Sequence, residues 1–136
     1  VEGLNAQGSK TVIVDMGRAY PDKTLKKLQR KLILAPDGQL TLTDCFEFNR
    51  TPTSLAEGFA TYLTTRLRKK GREVAIGTGE SRTILRAAAD TPGTFRVDVW
   101  GPEAETWTTT IPLRRIVFTP ERLTKSLSLT FHVSGS

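Results

Sequence analysis

The sequence predicts an all-β protein: an antiparallel β-sandwich of roughly nine to ten strands in a single domain over residues 1–136. Three observations carry this. Apolar and polar residues alternate almost from end to end, broken by turn residues about every eight to twelve positions. All seven prolines fall at segment ends or in loops, where a sheet protein tolerates them. Threonine fills 20 of the 136 positions, and a β-branched polar residue at that frequency suits strands with one wet face.

Taken in order, residues 11–15 form a short apolar run, and residues 15–21 read as a turn or one helical turn. Segments 28–35 and 39–48 flank Pro36-Asp37-Gly38. Proline pre-sets the first turn position and glycine takes the left-handed one that ends a three-residue hairpin loop. Residues 55–67 read as one continuous strand, because Thr61, Tyr62, Thr64 and Thr65 speak against a helix there. It runs into the basic turn Arg68-Lys69-Lys70-Gly71-Arg72. Segments 73–76 and 81–88 bracket Gly77-Thr78-Gly79-Glu80, and Phe95, Val97 and Val99 alternate with Arg96, Asp98 and Trp100. Segments 113–119 and 123–133 complete the set. The last of them turns Leu127, Leu129, Phe131 and Val133 inward and Ser128, Thr130 and His132 outward.

The hairpin makes one pair stand out. If Pro36-Asp37-Gly38 closes it, Leu34 faces Leu40, Leu32 faces Leu42, and Arg30 faces Asp44. Asp44 then sits in the middle of the apolar row Leu40, Leu42, Phe46 and Phe48. A carboxylate left bare there would have to take an ionic partner or a proton. The Arg30 guanidinium offers a matching fork of donors. An Arg30–Asp44 salt bridge, partly or fully buried and architectural in role, is expected; a one-residue slip of register would send both groups to solvent.

Composition excludes several function classes. Twenty Lys and Arg against 14 Asp and Glu give a formal charge of +6, which favours polyanionic partners. No apolar run approaches the roughly 18 residues of a membrane span, and no signal-peptide apolar segment is present. Cys45 is the only cysteine and His132 the only histidine, which removes an internal disulfide and most zinc hydrolase schemes; no metal and no cofactor is expected. Met16 is the only methionine and the chain opens Val1-Glu2-Gly3-Leu4, as a processed product or a piece of a longer protein would.

Each remaining chemical motif has a plain alternative. Gly77-Thr78-Gly79-Glu80 lacks the third glycine, the following helix and the lysine–serine pair of a phosphate loop, and reads as a hairpin turn. His132 lies on a polar strand face without a second histidine, and Cys45 points away from the apolar row as an inert thiol. Asn49-Arg50-Thr51 fits the glycosylation tripeptide, a pattern that arises often by chance. Two basic clusters, Arg18, Lys23, Lys26, Lys27, Arg30 and Lys31, and then Arg66, Arg68, Lys69, Lys70 and Arg72, could hold polyanions or could be solvated surface. Nucleic acid is disfavoured because only Tyr20 and Tyr62 lie near them as stacking groups. Trp100 and Trp107 flank an acidic loop and could stack on sugar rings or pack beneath that loop.

A Leu-Asn-Ala-Gln-Gly stretch, the segment from Asp15 to Tyr20-Pro21, then Arg30, then a strand ending Leu42-Thr43-Asp44 occur in an order that resembles the C-terminal β-sandwich of the heparinase II/III-like polysaccharide lyases. The resemblance covers about the first 50 residues in motif and the rest in strand pattern. It implies a parent with an N-terminal helical α/α toroid, cleaving uronate-containing chains by β-elimination in a cleft between toroid and sandwich. It implies acidic polysaccharide as the partner and a periplasmic or secreted bacterial setting. Tyr20 matches a segment where a tyrosine lies near the cleft and is the one candidate catalytic residue; Arg18, Lys23, Trp100 and Trp107 are the candidate substrate-binding residues. Asp44 matches a position that binds zinc in some relatives, but without histidine partners it is assigned to Arg30. The rival readings are a stand-alone carbohydrate-binding module using Trp100 or Trp107, a purely structural module, and a polyanion or nucleic-acid binder.

Overall fold

Ten strands form two antiparallel sheets in the computed structural model of the chain, which describes residues 7–100 and 111–135. They are β1 (Lys10–Asp15), β2 (Leu25–Leu34), β3 (Leu40–Phe48), β4 (Glu57–Thr61), β5 (Thr65–Arg68), β6 (Glu73–Ile76), β7 (Thr83–Ala87), β8 (Gly93–Trp100), β9 (Leu113–Pro120) and β10 (Ser126–Gly135). One sheet has seven strands in the order β1-β2-β3-β10-β7-β6-β5, and the other has three in the order β4-β9-β8. The chain is an all-β sandwich, with 3-10 turns as its only helical elements among the described residues.

The β2–β3 hairpin closes as its turn residues demand. Gly38 N–H donates to Ala35 O at 3.0 Å, Ala35 N–H donates to Gln39 O at 2.9 Å, and Gly38 sits at φ +84°, which glycine adopts at no steric cost. The register pairs Leu34 with Leu40, Leu32 with Leu42 and Arg30 with Asp44. Residues 77–80 likewise connect the adjacent antiparallel strands β6 and β7 as a hairpin turn.

Period-two alternation sorts each strand into an inner and an outer face. Inward, Phe131 of β10 meets Phe118, Phe95 and Phe59 of the smaller sheet at ring-centroid distances of 5.1, 5.9 and 5.3 Å. The Phe59 and Phe118 rings meet Phe131 edge-to-face, a geometry that adds about 0.5–1.5 kcal/mol per pair beyond burial, and this cluster seals the two sheets together. Outward, β3 and β10 pair polar side chains across the strands: Thr41 with His132, Thr43 with Thr130, and Cys45 with Ser128. The threonine surplus finds part of its place on this wet face.

Residues 55–67 are not one strand. β4 belongs to the smaller sheet and β5 to the larger, and the chain turns between them at 62–64. Thr61 Oγ1 accepts the Leu63 N–H at 3.0 Å, and Thr64 O accepts the Gly77 N–H at 2.8 Å. A threonine hydroxyl that captures the N–H two residues on makes a local turn, so the threonines that argue for extension here also end it.

The crossing from β7 to β8 is pinned by one side chain of the basic turn. Arg72 donates to Thr91 O, Gly93 O and Ala88 O, each at 2.7 Å, while the buried Thr91 hydroxyl accepts the Thr130 N–H at 2.9 Å. Gly93 starts β8 at φ +148°, where a Cβ would overlap Thr119 O and the Phe118 ring. Arg72 is therefore spent on architecture. Arg72→Ala should cost about 2–4 kcal/mol in chemical denaturation, because it strips a charged donor from several carbonyls at once; Arg68→Ala, on an exposed side chain, should stay within about 0.5 kcal/mol.

Candidate functional site

A groove of about 610 Å³ opens between the inner faces of β2 and β3 and the strand β4, with the end of β8 and the start of β9 on its far lip. Its lining mixes apolar side chains, among them Leu28, Phe46 and Phe59, with Asp22 and Arg115 and with one buried ion cluster. Arg30 Nε donates to Asp44 Oδ1 at 2.8 Å and Arg30 Nη2 to Asp44 Oδ2 at 2.6 Å. The same Nη2 reaches Glu57 Oε1 at 2.7 Å. The Asp44 side chain is wholly buried, and those of Glu57 and Arg30 are 11% and 24% exposed. The hairpin register sets Arg30 opposite Asp44; Glu57 arrives from the other sheet, so the cluster ties the two layers together.

Two carboxyl groups share one guanidinium, and the charges adjust accordingly. Hydrogen bonding to Asp44 holds the Arg30 proton more tightly than usual, against the opposing effect of burial. Burial first, and then the adjoining Asp44 carboxylate, push the Glu57 carboxyl up to about 7, although Arg30 pulls it down. The groove thus contains an acid that titrates near neutrality. The donor set does not suit a divalent cation, because both carboxyl groups already engage Arg30 and the sole histidine lies on the opposite face of the sheet.

Tyr20 reaches the groove through a chain of local bonds. Asp15 Oδ1 accepts the Gly17 N–H at 3.0 Å, Met16 N–H donates to Leu28 O at 2.8 Å, and a single 3-10 turn over Gly17–Ala19 follows. Tyr20 itself is extended, as a residue before proline must be. Beyond Pro21, Asp22 Oδ1 accepts the Thr24 N–H at 2.7 Å and returns the chain to β2. Trp100, half-exposed at the end of β8, lines the same groove. So does Arg115 of β9, whose guanidinium lies against Gly58: a Cβ there would stand 3.2 Å from Arg115 Nε, so a larger residue would push the guanidinium aside by a few tenths of an ångström.

The groove therefore brings together Tyr20, Trp100, Arg30 and Asp44. Arg18 and Lys23 lie outside its lining, Arg18 on the exposed 3-10 turn and Lys23 in the following loop. Trp107 falls outside the described residues. The first basic cluster does not form one surface: Arg30 is drawn inward, while Lys27 and Lys31 project from the other face of β2 beside Glu47 and Thr43. Asn49 uses its amide on Lys23 O at 3.2 Å. Glu57 and Arg115 were not singled out from sequence. The signal for Glu57 was present, since Leu55, Glu57 and Phe59 share one strand face as Leu42, Asp44 and Phe46 do; Arg115 sits in an Arg114-Arg115 pair that marks neither side.

No family model matches this chain, and no curated protein matches it. Solved structures do. A heparan sulfate lyase HepC mutant from Pedobacter heparinus superposes with a TM-score of 0.69 at 12% identity, over 93% of this chain and 20% of that one. The heparan sulfate lyase HepC from the same organism gives 0.68 at 11% identity, with the same coverage. The likeness is one of fold, a heparinase-like β-sandwich, and this chain spans a fifth of the length of those lyases.

Asp44→Ala should destabilise the protein by about 2–4 kcal/mol, because it leaves the Arg30 charge with Glu57 alone; a loss below about 0.5 kcal/mol would mark the pair as solvated. Glu57 adds a pH signature. Its carboxyl is raised from an ordinary value near 4.5 to about 7, so the folded state binds the extra proton. Its contribution to stability is full below about 4.5 and is lost as pH rises through about 7. Glu57→Gln should flatten the slope of unfolding free energy against pH in that window.

Proposed function

We propose that this chain forms the β-sandwich wall of a cleft for uronate-containing acidic polysaccharide in a polysaccharide-lyase-like protein, the opposite wall being an N-terminal α/α toroid. The observation that carries this reading is the groove lining: Tyr20 and Trp100, remote in sequence, stand with Arg115 around one opening. The fold likeness to heparan sulfate lyases supports it. On this reading the protein works in a periplasmic or secreted bacterial setting.

In β-elimination a base takes the C5 proton of the uronate, the bond from C4 to the leaving oxygen breaks as the C4–C5 double bond forms, and that oxygen gains a proton. The uronate carboxylate has to be neutralised for the C5 proton to leave. Arg115, a cation at the groove lip on the outer face of the smaller sheet, suits that carboxylate. The Tyr20 phenol is the group here that can pass a proton at the leaving oxygen. Trp100 offers a face on which a sugar ring can stack. The Arg30, Asp44 and Glu57 cluster is the support beneath them, because its hydrogen bonds are turned on one another.

Trp100 also favours a second reading, a carbohydrate-binding module without catalysis, since the residue is 45% exposed on the groove lip. The two diverge on Tyr20. If the chain contributes to elimination, Tyr20→Phe in the full-length protein should lower turnover on a uronate polymer more than tenfold, about 1.4 kcal/mol of barrier, with substrate affinity little changed. Unchanged turnover would remove Tyr20 from the chemistry. Binding of neutral oligosaccharides that is lost in Trp100→Ala would favour the binding module.

A further inference from the structure

At the opposite edge of the seven-stranded sheet from β1 and β2, a depression of about 500 Å³ is lined by Arg66, Leu67, Arg68, Lys69, Ala75 and Arg82. Arg66 and Arg68 alternate on the edge strand β5 and so project from one face, ~7 Å apart along the strand. Arg82 approaches from the β6–β7 connection, and the exposed Lys70 stands beyond Lys69 at the tip of the β5–β6 hairpin. One nearby acid is already used, while Glu80, exposed on the same connection as Arg82, makes no ion pair among the described residues. Glu73 is buried and pairs with Lys69 and with Arg86 Nε, the latter at 2.9 Å. Burial alone would raise its carboxyl, but the bonds from Lys69 and Arg86 outweigh that and hold it below its ordinary range. Among the described residues, Arg66, Arg68, Lys70 and Arg82 make no ion pair.

The hairpin backbone adds an independent observation. Lys69 and Lys70 have φ of +47° and +54° and lead into Gly71 at +82°. Left-handed backbone costs a side-chain-bearing residue on the order of 1–2 kcal/mol, and glycine or asparagine would relieve it. Two lysines occupy these positions instead, so the turn keeps positive charge at a conformational cost.

We propose that this edge is a second binding site, separate from the groove, for a sulfated polysaccharide chain. Three arginines line one depression, and a sulfate ester has three terminal oxygens to share among several forks, where a carboxylate has two. The cations continue along β5 and round the hairpin tip, as a chain-like ligand requires. Among the described residues no aromatic side chain lines the depression, so they give it none of the stacking surface by which single-stranded nucleic acid is held.

The test is titration of the chain with a heparin-type oligosaccharide, its desulfated counterpart and a DNA duplex, each at two salt concentrations. The sulfated chain should bind at low salt more tightly than either of the others. The triple variant Arg66→Gln/Arg68→Gln/Arg82→Gln should lose at least tenfold in that affinity and flatten its salt dependence by about two to three charges. The same loss should appear in an Arg115→Gln background, because the groove is a different place. Wild-type affinity in the triple variant, failure of the wild-type chain to bind the sulfated oligosaccharide, or equal affinity for DNA and the sulfated chain would each overturn the assignment. The groove reading is decided separately by turnover of Tyr20→Phe.

Discussion

The arrangement of this molecule hangs on a carboxylate that has nowhere to go. Asp44 occupies an inward position on β3 between Leu42 and Phe46 and is wholly buried. Desolvating such a group costs several kcal/mol unless charge and hydrogen bonds compensate. The compensation sets geometry: Arg30 has to stand opposite, which ties the β2–β3 register to a single alignment. Arg30 has a spare Nη2 bond, and Glu57 takes it from the other sheet. One buried charge thus specifies a hairpin register and the position of β4 above it, and the groove is the space that remains beside the cluster.

A second polar tie operates by the same logic with the charges reversed. Among the described residues Arg72 has no acid partner and is satisfied by backbone carbonyls on either side of the β7–β8 crossing. With Arg30, it shows that the net charge of +6 is not uniformly available to a ligand. Cations that alternate inward become structural pins, and those on β5 and at the hairpin tip remain at the surface. Counting charges along the chain mixes these two populations.

The same distinction accounts for what could be read from sequence. Alternation, proline placement and the Pro36-Asp37-Gly38 turn are local properties, and they carry the strand inventory and the β2–β3 register. The split between β4 and β5 was not legible, because Thr61 is equally at home in a strand and as the acceptor that starts a turn. Asp44 stood out because its ionic partner lies across a short hairpin. Glu57 carries the same intruding-acid pattern, but its partner is 27 residues away on another sheet, and only the packing of the layers reveals it. Tyr20 and Trp100 were separate candidates in sequence, and their shared groove is a product of topology.

On the proposed reading, the groove's electrostatics suit a wall rather than a complete site. Its floor carries one guanidinium against one carboxylate and a second carboxyl that titrates near 7. The floor is therefore close to neutral in mild acid and acquires negative charge above neutrality, the wrong sign to draw an acidic polymer down onto it. Attraction has to come from the rim, where Arg115 lies against Gly58 and Asp22 adds an opposing charge, and from whatever faces it. A ligand held at the rim would pass over Tyr20 and Trp100 without displacing the ion cluster. That division, a self-satisfied floor under a sparsely charged rim, is what the proposed two-walled cleft would require of one half.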